Sequence, residues 1–153
     1  MSVHQSLLHA LGRKIRLEAL ALDAHGQCTL SFDANIVVTF LGDATGGLTA
    51  VGFVAELAAY GPHVTRRLLD YNLVSRALGG GRLSLDPDTG YILLTQRWSV
   101  ETTSSDDFLV EVEAFVNGVA AVRGDLEPLR RTPQGAEDGA TSARARADWQ
   151  LMA

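Results

Sequence analysis

A single cysteine, Cys28, leaves the chain no internal disulfide to close, so nothing in it asks for an oxidising compartment. Long apolar runs are missing too. None approaches the roughly 20 residues that span a bilayer, and Met1-Ser2-Val3-His4-Gln5 lacks the charged-then-apolar layout of a signal peptide. A soluble, cytoplasmic protein with no membrane partner is expected. Positive charge is in short supply: 13 Lys and Arg stand against 18 Asp and Glu, a net charge of −5. The densest basic stretches, Arg13-Lys14 with Arg16 and Arg66-Arg67, are too short to track a phosphate backbone, so no nucleic-acid partner is expected.

The residues of catalysis are scarce as well. The four histidines, His4, His9, His25 and His63, form neither H-E-x-x-H nor a cysteine–histidine cluster of zinc spacing. There is no G-x-S-x-G elbow. Gly79-Gly80-Gly81 runs from helix to strand, whereas a phosphate loop runs from strand to helix and carries Gly-Lys-Ser/Thr; a helix cap is the better reading. Asp86-x-Asp88-x-Gly90 begins like a calcium loop but lacks the later carboxylates, which leaves a hairpin turn. The expectation is a protein without enzymatic activity, metal or cofactor.

What is present is a core. Of the 153 residues 46% are hydrophobic and 20% charged, enough for one domain without staples. Leu7, Leu8, Leu11 and Ile15 recur at helical spacing across residues 3–16. The period then falls to two. Cys28, Leu30 and Phe32 share one face of a strand over 27–32, the cysteine serving as a small hydrophobe. Further strands are predicted over 36–41 and over 48–57, the latter weakened by Gly52, with short turns that imply an antiparallel meander. Gly61-Pro62 breaks the chain. A helix over 63–78 follows, capped by Gly79, then a hairpin of strands 82–85 and 91–100. Ser104 or Ser105 caps a last helix with a stripe of Phe108, Val112, Phe115, Val119 and Val122, and Gly124 is expected to end it. The fold class is therefore α+β, in the order α-β-β-β-α-β-β-α.

Residues 1–130 make up this domain. Residues 131–153 are rich in Gly, Ala, Ser, Thr and charge and have no apolar period; a flexible tail is predicted. Trp149, Leu151 and Met152 interrupt that polarity, either by chance or as a short docking motif. The helix over 63–78 has two apolar faces. Val64, Leu68, Tyr71, Val74 and Leu78 form one stripe; Leu69, Leu73 and Ala77 form a second on the opposite side, bordered by Arg66, Asp70 and Arg76. Either the last helix covers that second stripe within the chain, or it is a contact between subunits.

The stretch Leu68-Leu69-Asp70-Tyr71-Asn72-Leu73, followed by the glycine-led Arg82-Leu83-Ser84-Leu85-Asp86 hairpin to Gly90 and the strand Tyr91-Ile92-Leu93-Leu94, resembles the Tir-chaperone (CesT) family, the class I type III secretion chaperones. Leu20-Ala21-Leu22-Asp23-Ala24-His25-Gly26-Gln27-Cys28-Thr29-Leu30 is similar to that family's approach to its first strand, and the likeness covers about residues 3–124. The resemblance implies a homodimer, each subunit a twisted antiparallel sheet flanked by helices. It implies a cytosolic chaperone that binds the N-terminal segment of a cognate effector, keeps it partly unfolded and secretion-competent, and helps deliver it to the secretion ATPase. It places the dimer contact on the second helix, at Leu69, Leu73, Arg76 and Ala77. Its effector-binding grooves use the first helix and neighbouring strands, which makes Leu7, Leu11, Phe32, Val38 and Phe40 the groove candidates. The rival readings are a dimeric α+β sensor or scaffolding module unrelated to secretion and, more distantly, a small-molecule-binding domain.

Overall fold

The computed structural model describes residues 4–33, 35–73 and 78–131. Their elements run α1 Gln5–Ile15, β1 Gln27–Phe32, β2 Ile36–Gly42, β3 Gly47–Glu56, α2 His63–Leu73, β4 Arg82–Leu85, β5 Tyr91–Ser99 and α3 Ser105–Leu126. This is the order that the alternating periods predict. The strands form one antiparallel sheet in the order β1-β2-β3-β5-β4. The four elements β1, β2, β3 and β5 are consecutive neighbours, and α2 is the excursion that lets β4 hairpin onto the far edge.

One face of the sheet carries the core. Cys28, Leu30, Val38, Phe40, Ala50, Leu94 and Trp98 project to it and meet Leu7, Leu8 and Leu11 of α1 and Phe108, Phe115 and Val119 of α3. Burial raises the Cys28 thiol above its usual pKa, as suits a cysteine used for packing. Trp98 stacks edge-on against Phe108 at 5.1 Å and donates its indole N–H to Glu111 Oε2 at 2.5 Å. That bond satisfies the one polar atom a buried tryptophan brings.

Three glycines decide how closely these layers approach. A Cβ on Gly52 would come within 2.8 Å of Val119 and 3.2 Å of Phe115, so this residue is where α3 settles onto β3. Gly79, at φ +60°, would meet the Ala114 backbone at 2.6 Å, and Gly118 faces the backbone of Leu78. The chain leaving α2 therefore lies directly on α3. Gly124, by contrast, has open space around it, and α3 runs through it to Leu126 before Pro128 closes the last turn. A glycine ends a helix only where its backbone turns left-handed, and here it does not. The cap at the other end is Ser104, whose Oγ accepts from Asp107 N–H at 3.1 Å. β3 likewise stops at Glu56, where Leu57–Ala59 curl into a 3-10 turn.

Arg123 locks the irregular point of the sheet. Register slips between Phe53 and Ala55, and the Arg123 guanidinium donates to the carbonyls of Phe53 at 2.5 Å, Val54 at 3.1 Å and Asn35 at 2.8 Å. A bulge frees carbonyls from the ladder, and the fork of an arginine can gather several at once.

Three turns share another device. Asp23, Asp43 and Asp86 each accept, through Oδ1, the N–H two residues ahead, at 2.8, 2.8 and 3.0 Å. Each carboxyl is held below its ordinary pKa: Asp23 chiefly by the Gln27 N–H, Asp43 by the Thr45 hydroxyl and Asp86 by the Thr89 hydroxyl. Asp43 also accepts from Arg97 Nη2 at 2.9 Å. A carboxyl depressed on folding contributes stability that is complete above its unfolded pKa and is lost as pH falls through the folded one. Thermal stability should therefore decline below about pH 4. Asp43→Asn should melt a few degrees lower at neutral pH and show a shallower acid decline. Melting curves across a pH series check this, and an acid slope unchanged in the variant would remove Asp43 from the account.

Candidate functional site: a helix face, a sheet edge and an uncovered sheet face

Helix α2 is held to its own chain by few contacts. Val64 is its one buried residue, while Leu68 and Tyr71 are half-buried against the core. The rest of its attachment is polar. The Asn72 amide accepts from Leu83 N–H at 2.7 Å and donates to Leu83 C=O at 2.9 Å, taking the place of a further strand beside β4. The Tyr71 hydroxyl donates to Asp125 of α3, and Arg67 lies 3.7 Å from the same carboxylate and over the tyrosine ring. This geometry turns the second stripe outward: Leu69 is 64% exposed and Leu73 85%. The last helix does not cover Leu69 or Leu73. Arg76 and Ala77 lie outside the described residues.

The two edges of the sheet differ. β4 is only four residues long, and Asn72 already occupies Leu83. β1 is open. Gln27 turns both backbone groups outward, its C=O accepting from Asp23 N–H at 2.7 Å and its N–H donating to Asp23 Oδ1 at 3.0 Å. In an antiparallel strand this outward orientation recurs every second residue, so Thr29 and Ser31 present N–H and C=O groups away from β2. Among the described residues no strand pairs with them.

The sheet face opposite the core continues from that edge. Cross-strand pairing aligns Thr29, Thr39, Val51 and Thr95 in one row, with the Thr29 and Thr39 hydroxyls 2.9 Å apart. Phe53 and Leu93 form the next row, and Tyr91 meets Phe53 edge-on at 5.1 Å. On this face Val37, Val51, Phe53 and Leu93 are half-buried and Thr39 and Tyr91 are buried, while the described helices pack on the other side. Hydroxyls and medium-sized apolar groups thus share a surface that can bury alternate side chains of an extended peptide.

The profile of the Tir chaperone protein (CesT) family matches residues 6–123. The chain belongs to that family. The fold is shared with solved structures. The crystal structure of the ExsC–ExsE complex superposes with TM-score 0.69 at 21% identity, covering 84% of this chain and 94% of that one. The HopA1–SchA chaperone–effector complex gives 0.68 at 22%, covering 80% and 94%. The Yersinia pestis type III secretion chaperone SycH, in complex with a stable fragment of YscM2, gives 0.64 at 23%, covering 78% and 98%. Among curated proteins, none matches the sequence.

In this CesT-family chain the groove candidates fall mostly inside. Leu7, Leu11, Val38 and Phe40 are 0–3% exposed and join α1 to the sheet. Phe32, at the end of β1, is half-buried against the same core. The residues on the opposite face are the odd-numbered neighbours on β2, with Val37 half-buried and Thr39 buried, and Val51 and Phe53 on β3, both half-buried. The period-2 alternation that placed Val38 and Phe40 on one face places these on the other. Asn72, part of the family-like stretch in the sequence, acquires a physical role as the clamp on β4. No described helix is long and apolar enough to cross a membrane.

Proposed function

We propose that the protein is a homodimeric type III secretion chaperone that holds the N-terminal segment of a secreted effector in an extended, partly unfolded state. The observation that carries this is the open β1 edge running into an uncovered, half-apolar sheet face, in a chain of the CesT family. Backbone groups at Thr29 and Ser31 offer a ladder to any extended partner, and the Val37–Val51–Phe53 surface supplies side-chain burial. Neither demands a folded ligand. The similarity to the HopA1–SchA chaperone–effector complex supports the same reading.

The dimer rests on α2. Isolated helices this short are marginal in water, and Leu69 and Leu73 need a cover. A two-fold contact in which the same face meets itself provides one. The chaperone acts in the bacterial cytoplasm, catalyses nothing, needs no cofactor and hands its effector to the secretion ATPase.

Co-purification tests the proposal. Expressed with its neighbouring secreted proteins, the chain should bring down one partner stoichiometrically and without ATP. Limited proteolysis of the complex should leave a protected effector segment of roughly 50 to 100 residues, a length suited to the large surfaces that folding-on-binding segments wrap. A partner held only through a folded domain, or a copurifying small ligand in place of a protein, would return the chain to the sensor or scaffold class.

A further inference from the structure

Where the described chain ends, it ends beside an apolar hollow. The hollow, of about 470 Å³, is lined by Leu57, Ala58, Tyr60, Pro62, Thr65 and Arg131. Its floor is the 3-10 turn after β3, and Tyr60 forms a bridge with Arg130. Arg131 N–H donates to Ala59 C=O at 2.9 Å, which fixes the chain's exit on the rim. No described carboxylate pairs with the Arg131 guanidinium.

The sequence beyond that exit is polar until its far end. Residues 132–148 contain no leucine, isoleucine, valine, methionine or aromatic residue; then come Asp148, Trp149, Leu151 and Met152. The stretch from Arg131 to Trp149 is a chain length whose coil dimension is roughly 23 Å, so the reach back to the exit is short. Such a tether holds its end near the domain at millimolar effective concentration, so even weak docking is populated.

We infer that residues 148–152 are an internal ligand for this hollow, with Trp149 seated between Leu57, Ala58 and Pro62 and Asp148 against Arg131. The fit is one of chemistry. An apolar hollow, with a cation on its rim that no described carboxylate pairs, receives an aromatic side chain preceded by one carboxylate. The inference is independent of the secretion reading, since the hollow lies apart from the β1 edge.

Tryptophan fluorescence of the full chain tests it. The protein has two tryptophans, and Trp98 is 3% exposed in the core, so subtracting the spectrum of Trp149→Phe isolates Trp149. Its emission should be blue-shifted and shielded from acrylamide relative to N-acetyl-tryptophanamide, independently of protein concentration. Ala58→Arg, at an exposed position, should plug the hollow and return that emission to the free value. Arg131→Glu should do so in part, and Arg131→Glu with Asp148→Arg should restore the shift. A solvent-like Trp149 in the unaltered chain overturns the inference, as does indifference to Ala58→Arg. A blue shift that grows with concentration overturns it in favour of docking on a second copy.

Discussion

Replacing Leu73 by aspartate is expected to turn the proposed dimer into a monomer while leaving the domain folded. The side chain is 85% exposed in the isolated chain, so the monomer has nothing to lose there. In a self-complementary contact the substitution buries an unpaired carboxylate in each subunit. Each such burial costs several kcal/mol or forces the surfaces apart. A penalty of about 3–5 kcal/mol weakens association by roughly two to three and a half decades. Sedimentation at micromolar concentration should show the parent chain at twice the protomer mass and the variant near 16.4 kDa, with unchanged far-ultraviolet circular dichroism. Leu69→Asp, at the neighbouring exposed leucine, should act in the same direction. A variant that sediments as a dimer would take α2 out of the interface.

The same helix shows what the sequence could and could not convey. Its two stripes were legible from spacing alone, because a helical period assigns faces. What lies over each face is tertiary, and only the positions of α3 and β4 reveal that Leu69 and Leu73 are left uncovered. The strands present the opposite difficulty. In β1 the alternation of Cys28, Leu30 and Phe32 with Thr29 and Ser31 tells inside from outside. In β2 the run Ile36-Val37-Val38-Thr39-Phe40-Leu41 is apolar on both faces, so periodicity separates the two sets without saying which is buried. Gly52 settles it: its missing side chain admits Phe115 and Val119 of α3, so the face carrying Val38 and Phe40 is the inner one. Read locally, that glycine only weakens a strand; in the fold it is a seat for a helix. Arg123 was illegible for a similar reason, since the carbonyls it gathers come from a bulge some seventy positions earlier and from the turn before β2. The element order, by contrast, followed from local signals that all agree, which is how a sequence specifies one fold.

That inside–outside assignment decides which substitution can probe partner binding. Leu11→Asp places a carboxylate at a position 3% exposed between α1 and the sheet. It should unfold the domain, and loss of the partner would then carry no information. Val51 sits on the opposite face, half-buried, between Thr39 and Thr95 in the cross-strand row. A lysine there can extend its ammonium into water in the free protein, so the fold and the dimer should persist. Under a bound effector segment the same charge is desolvated without a partner, at a cost of several kcal/mol. Effector affinity should therefore fall at least about a hundredfold. Calorimetry on the unaltered chain should show a strongly negative heat-capacity change, the mark of an ordering segment that buries apolar surface; the Val51→Lys chain should show little binding heat at the same concentrations. A folded, dimeric Val51→Lys variant that binds its effector with parental affinity would exclude this sheet face from the binding path and leave the β1 edge to carry the partner without it.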